Sequence, residues 1–260
     1  MEVISVSGLS FSYGLDFGLS EISLKVERGE VLVLLGPNGC GKTTLIKCIN
    51  ALLKPTEGSV RIDGKDAFAM SRGELARLVG FVPQVHTPPF PFSVTDVVLM
   101  GRVSCLSIFE QPSRSDYAKT DEVLELVGLT HLKDRPYTQI SGGERQLALI
   151  ARAMAQEPEA LLLDEPTAHL DFRNQFTVLA MVQKVARERG TAVVMSLHDP
   201  NQAMQFSDKL ALMSSGRVLS VGKPDEVISS QSIKELYGMD AEIINRGGRR
   251  LVMPVLTDSG

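Results

Sequence analysis

The sequence predicts an α/β fold, and three observations carry that prediction. Short apolar runs such as Val31–Leu35 ("VLVLL"), Ala160–Leu163 ("ALLL") and Thr191–Leu197 ("TAVVMSL") have the composition of parallel strands buried on both faces. Helical stretches alternate with these runs, which is the order of a sheet covered by helices. Between residues 85 and 155 the alternation breaks into a helix-rich stretch, which reads as a subdomain inserted into the sheet.

Taken in order, the strand Val31–Leu35 is followed by a helix over Lys42–Leu53, closed by Pro55 and Gly58. A strand over Ser59–Asp63 turns at Gly64, and another over Gly80–Val82 ends at Pro83. The Pro- and Phe-rich stretch from Gln84 to Gln111 reads as a long connection into helix. "SVTD" at 93–96 and "SDYAKTDEVLELVGL" at 115–129 open helices with acceptable N-caps. Ser141–Gln156 is helical by period, with Leu147, Ile150, Ala151 and Met154 on one stripe. Phe172–Arg189 is helical too, carrying Val178, Met181, Val182 and Val185 and stopping at Gly190. Lys209–Met213 and Arg217–Val221 flank "SSG" as a hairpin. The tail from Pro224 has two short helical segments and a strand near Leu251–Val255.

Composition narrows the function. The chain has 260 residues, 43% hydrophobic and 22% charged, and a net charge of −4, which disfavours a general nucleic-acid surface. Its one basic knot, "GGRR" at 247–250, is read as a solvated turn. No apolar run approaches the ~20 residues of a membrane-spanning helix. The opening "MEVISVSGLSFSYG" lacks a basic flank before an apolar core, so no secretory leader is expected. Cys40, Cys48 and Cys105 include no CxxC pair and are expected as reduced thiols. His86, His131, His169 and His198 have no metal-ligand spacing.

Three stretches carry the chemistry. Gly36-Pro37-Asn38-Gly39-Cys40-Gly41-Lys42-Thr43 fits GxxxxGK[ST], directly after a buried strand and directly before a helix, with Thr44 following. Glycines there let consecutive backbone N–H groups curl around a phosphate, and the helix start adds its positive dipole end. Lys42 brings a point charge to the β- and γ-phosphates, and Thr43 offers a hydroxyl to Mg²⁺. "ALLLDEP" at 160–166 ends an apolar strand in two acids at the sheet's carboxyl edge. Asp164 is expected to hold Mg²⁺ and Glu165 to polarise the attacking water. "ISGGERQLALIARAM" at 140–154 begins with a capping box, Ser141 with Glu144. Gly142 and Gly143 are poor helix formers there, but they let an anion approach the helix start.

This last run resembles the signature of the ATP-binding-cassette (ABC) ATPases, usually written LSGGQ, with Ile140 for Leu and Glu144 for Gln. The resemblance spans Val3 to about Val221 and implies roles for further residues. Tyr13 in "FSYG" is similar to the aromatic that stacks on adenine. Gln84 in "FVPQ" is similar to the glutamine that senses Mg²⁺ and the γ-phosphate. Ala168-His169-Leu170-Asp171 resembles the D-loop, and His198 the switch histidine at the γ-phosphate. The implied fold is a P-loop NTPase core with an ABC-type antiparallel β subdomain and an inserted α-helical subdomain. As one ABC ATPase domain, the chain would divide into a core with β subdomain over 1–84 and 156–221, a helical subdomain over 85–155, and a C-terminal extension over 222–260.

The family sandwiches ATP between one subunit's P-loop and the other's Ser141-Gly142-Gly143-type signature, so a homodimer is implied, with ATP and Mg²⁺ as cofactors. "PQVHTPPFPFSVTDVVLMGR" at 83–102 and the tail "GKPDEVISSQSIKELYGMDAEII" are similar to ATPases of bacterial and archaeal importers of ferric siderophores, haem and cobalamin. That resemblance implies a peripheral protein on the cytoplasmic face of the membrane. Its expected partners are integral permease subunits and, indirectly, a periplasmic or extracellular substrate-binding protein. No nucleic-acid partner is expected. Val85, Phe90, Phe92, Val97 and Met100 are candidates to line the groove that receives the permease's coupling helix. The competing reading is a soluble ABC ATPase, such as one of iron–sulfur assembly.

Overall fold

The computed structural model describes residues 1–14, 17–84, 91–107 and 110–255. It opens with strands β1 (Glu2–Ser12), β2 (Gly18–Glu27) and β3 (Val31–Leu35), then helix α1 (Lys42–Ile49). Strands β4 (Glu57–Ile62) and β5 (Lys65–Asp66) precede α2 (Arg72–Leu78) and β6 (Val79–Val82). Helices α3 (Val94–Leu99), α4 (Arg114–Leu126) and α5 (Gly142–Met154) follow. The chain then runs through β7 (Ala160–Leu163), α6 (Phe172–Arg189), β8 (Ala192–Leu197), α7 (Pro200–Phe206), β9 (Lys209–Ser214) and β10 (Arg217–Gly222). The tail contains α8 (Pro224–Val227), α9 (Ser230–Tyr237), β11 (Ala241–Arg246) and β12 (Arg249–Pro254).

The main sheet has six strands in the order β10-β9-β3-β8-β7-β6. It is parallel from β9 to β6, with β10 closing one edge antiparallel. Strand β3 shows why its sequence carries no polar residue. Val31, Val33 and Leu35 pack into a core shared with α5, α6 and α7, while Leu32 and Leu34 enter a second core with α1 and the first strands. Both faces are covered, so period-two alternation disappears.

The second core is capped by an antiparallel sheet ordered β2-β1-β4-β5. A separate hairpin, β11–β12, turns at Gly247 and Gly248, both at positive φ, where the basic "GGRR" knot lies. The longest departure from the expected elements is the first helix, which ends at Ile49 rather than Leu53. Ala51 takes a left-handed conformation (φ 48°), and the amides of Leu52 and Leu53 bond back to the Lys47 carbonyl. Likewise α4 stops at Leu126, ahead of Gly128 at φ 76°.

Helices α3, α4 and α5 belong to the connection from one sheet strand to its neighbour. Their shared core includes Val94, Val98, Leu124, Tyr137, Ile150 and Ala151. Arg102 staples it to the residues before β7: its Nε donates to Asp116 Oδ1 (3.0 Å), and Nη1 donates to the Ala155 carbonyl (2.7 Å) and Glu157 Oε2 (3.2 Å). Among the described residues no helix is long and apolar enough to cross a membrane.

Candidate functional site: a nucleotide pocket at the carboxyl edge of the sheet

The loop from β3 to α1 is shaped by its glycines, each for a different reason. A Cβ on Gly36 would collide with the Met213 carbonyl oxygen of the neighbouring strand β9. Gly39 (φ 79°) and Gly41 (φ 110°) take conformations that side chains disfavour, and nothing lies within 4 Å of the place a Gly39 Cβ would occupy. Helix α1 starts at Gly41 with no side-chain cap, which leaves its first amides for an incoming anion. Together with Phe17, Gln84 and Glu165, the residues Asn38, Gly39, Gly41, Lys42, Thr43 and Thr44 line a cavity of about 310 Å³.

Lys42 is buried, and its Nζ donates to the carbonyls of Gly36 (2.7 Å) and Pro37 (2.9 Å). The ammonium is therefore held over the loop by the loop itself. Thr43 Oγ1 donates to Asp164 Oδ1 (2.9 Å), which joins the two stretches that the sequence separates by 121 residues. The Asp164 amide in turn donates to the Val82 carbonyl at the end of β6 (3.0 Å), two residues before Gln84. Gln84 Nε2 donates to Glu165 Oε2 (2.8 Å). Thr43 and Gln84 line the cavity, and the Asp164 carboxylate lies behind Thr43, bonded to its hydroxyl, so three side chains with hard oxygen donors gather here. That donor chemistry fits Mg²⁺ brought in with a nucleotide.

Ser196, buried in β8, connects the two acids. It accepts from the Glu165 amide (2.7 Å) and donates to Asp164 Oδ1 (2.9 Å). Glu165 itself has φ 47°, a left-handed backbone in a non-glycine residue; such conformations cluster at functional sites. A hydroxyl inside the otherwise apolar run "TAVVMSL" was the signal in the sequence for Ser196. Phe17 had a weaker signal, an aromatic four residues after Tyr13. Tyr13 is 57% exposed and follows β1; its ring stacks on Phe17 (centroids 6.2 Å apart, 26° between planes), and of the two Phe17 lines the cavity.

Other expected site residues lie elsewhere in the chain. Ser141 caps α5 with Glu144: the Ser141 amide donates to Glu144 Oε2 (2.7 Å) and Ser141 Oγ accepts from the Glu144 amide (3.3 Å). The Ser141 amide, followed by the Ser141 hydroxyl, holds the Glu144 carboxyl below its ordinary range by hydrogen bonding. A Cβ on Gly143 would strike Asn174 Cγ at 2.6 Å, so this glycine is required by packing against α6 within the same chain. At Gly142 there is ordinary room. Asp171 caps α6, accepting from the Asn174 amide (2.8 Å) and side chain (2.9 Å). Ser141, Gly142, Gly143 and Asp171 do not line the cavity with Lys42. Cys40 is buried, and its amide donates to the Pro37 carbonyl (3.4 Å). His198 is exposed just past β8 and borders a different cavity, shared with the C-terminal segment.

Of the residues expected to face a coupling helix, Val97 is a correction. It is 3% exposed and belongs to the helical core, because α3 turns that side toward α5. Phe92 and Met100 are each 40% exposed. Val85 and Phe90 lie outside the described residues, as does His86.

Comparison with known proteins shows the family. The profile of the family described as ABC transporter matches residues 19–168. The molybdate import ATP-binding protein MolC of Haemophilus influenzae is 35% identical over 91% of this chain and 88% of its own length. The ferric enterobactin transport ATP-binding protein FepC of Escherichia coli is 32% identical over 95% of this chain and 92% of its own. Among solved structures, a transporter described as of the metal-chelate ABC type, in an inward-facing conformation, superposes with a TM-score of 0.87 at 32% identity, covering 100% of this chain and 99% of that one. With the phosphate loop, the paired acids and the capped Ser-Gly-Gly helix in place, the chain belongs to the ABC transporter ATP-binding family, whose members hydrolyse ATP to drive transport.

Proposed function

We propose that this chain is the motor of an importer for a metal chelate such as a ferric siderophore, haem or cobalamin, working as a homodimer on membrane permease subunits. The observation that carries the reading is the extent of the likeness to the chelate-type transporter, which covers the whole chain, tail included. The ferric enterobactin relative points the same way. In this reading Lys42 and the amides of Gly39 to Thr44 bind the phosphates, and Tyr13 and Phe17 receive the base. Thr43, Asp164 and Gln84 hold Mg²⁺, which when bound neutralises charge on the phosphates. Glu165 orients the attacking water, and His198 contacts the γ-phosphate.

The dimer is supported by what one chain leaves out of its own pocket. Ser141, Gly142 and Gly143 stand apart from the Lys42 cavity, so a second copy is the natural source of a signature over the phosphates. Asp171 belongs to the same face in this reading, while its carboxylate keeps α6 capped. Phe92 and Met100, both exposed, are the described candidates for contact with the permease.

The test is recovery of the tagged chain from native membranes in mild detergent, with its partners identified by mass spectrometry. The expected result is a polytopic membrane protein, whose associated binding protein leads to the cargo. Recovery of soluble partners alone would replace the importer with a soluble assembly ATPase. Recovery with a molybdate-type permease would keep the importer and change its cargo.

A further inference from the structure

We propose that Tyr237, in the C-terminal segment, is a positioning residue for His198. The proposal rests on the reading of His198 as the γ-phosphate contact. Strand β8 ends at Leu197, which is buried, and α7 begins at Pro200 with Asp199 as its cap. Asp199 Oδ1 accepts from the amides of Asn201 (2.7 Å) and Gln202 (3.1 Å). His198 is thus a single link between a fixed strand and a fixed helix start, and the tilt of its peptide decides where the exposed imidazole stands.

The carbonyl of that link accepts a hydrogen bond from the Tyr237 hydroxyl (2.9 Å). Packing alone does not fix it, because a cavity of about 360 Å³ opens beside it, lined by His198, Asn201, Ile233, Tyr237, Met239 and Val252 among others. With free volume on one side, the directional bond is the restraint. The tail that carries Tyr237 is itself anchored. Ile233 and Leu236 are buried in the main core, and Gly238 (φ 67°) closes α9 immediately after the tyrosine. Asn201 bonds Val252 of the terminal hairpin in both directions, from Nδ2 to the carbonyl (3.2 Å) and from the Val252 amide to Oδ1 (2.8 Å). Arg250 adds bonds to the carbonyls of Asp225 (2.6 Å) and Ile228 (2.9 Å). Two elements of the C-terminal segment therefore grip residues 198 and 201 on either side of the Asp199 cap.

Tyr237→Phe removes one oxygen and keeps the ring, so the fold is retained. In steady-state hydrolysis by the full-length chain, kcat should fall about five- to tenfold, the effect of one directional hydrogen bond on the transition state. The KM for ATP should stay within about twofold, because Lys42 and the loop amides, which the variant leaves untouched, carry most of the hold on the phosphates. In a His198→Ala background, with the residual turnover followed by radiolabelled ATP, Tyr237→Phe should have no further effect. Unchanged kcat in the single variant, or the same fall in both backgrounds, overturns the proposal. Full turnover by His198→Ala would instead remove the reading of His198 and the proposal with it, and the two failures are told apart by that variant alone.

Discussion

Lys42 is a buried cation whose Nζ donates to two carbonyls of its own loop, those of Gly36 and Pro37. Buried charges need partners, and here the loop supplies them without a carboxylate, so the positive charge remains available to an anion. Lys42→Ala removes a charge-assisted contact to phosphate oxygens. Triphosphate affinity should drop roughly 10- to 100-fold, in line with about 1.5–3 kcal/mol for a hydrogen bond to a charged group. Titration with ATP by calorimetry checks this, and unchanged affinity would sink the phosphate-loop assignment. Asp164 illustrates the same economy. Its Oδ1 accepts from Thr43 and from Ser196, so the carboxylate is aimed before any cation arrives. The Glu165 amide bonded to Ser196 fixes the neighbouring acid in its left-handed backbone.

At the scale of elements, the connection between β6 and β7 is fastened by charge as well as packing. Asp116 accepts from Ser113 and from Arg102, and these bonds lower its carboxyl to about 2. A carboxylate whose folded pKa is depressed contributes stability that is complete above its unfolded value of about 3.9 and is lost as pH falls through the folded value. The thermal unfolding midpoint of the chain should therefore fall progressively between about pH 4 and pH 2. In Asp116→Asn the midpoint should be lower at pH 7 and flatter across that window. Equal slopes for the two proteins would show that other carboxylates dominate acid unfolding.

The elements legible in the sequence were those with one strong local signal. Buried strands β3, β7 and β8 showed as unbroken apolar runs, and the β9–β10 hairpin as two runs around "SSG". Strand β1 was harder to read because its pairing with β2 shifts register at three places, which breaks the period of two. Helix α2 had a readable start, the Ser71–Glu74 capping box, but only seven residues and one buried side chain, Leu75. Strand β11 gains its identity from pairing with β12, a partner that local pattern does not reveal. The site divides in the same way. The phosphate loop and "DEP" were evident from residue types, whereas Ser196, Phe17 and the Tyr237 bond depend on which strands and helices become neighbours.

On the scale of the molecule, the parts of the pocket other than Phe17 come from the carboxyl ends of β3, β6, β7 and their following loops, all on one edge of the sheet. A site open on that edge can be covered by a second copy. Glu165→Gln keeps size and hydrogen bonding at this position while removing the acid proposed to orient water, so binding should persist and hydrolysis stall. Light scattering with Mg-ATP should then report the mass of two chains for the variant and of one for the wild type after turnover. A variant that stays monomeric at saturating nucleotide would count heavily against dimer closure.

Helices α3, α4 and α5 also bear on how such a motor changes over generations. Strands β6 and β7 are parallel neighbours, with Val79 opposite Ala160 and Val82 opposite Leu163. The connection therefore leaves at one edge of the sheet and returns at the other, roughly 13 Å away for strands of this length. Helix α5, packed on the sheet's core through Leu149, Ile150 and Ala153, already makes that return, as the helix of any parallel crossover does. The described residues before it, 91–107 and 110–139, are carried on that crossover and share its core through Val94, Val98 and Leu124. A stretch carried in this way can change in length without changing the strand order of the sheet. Its sequence is thereby a separate variable from the strands that build the nucleotide pocket.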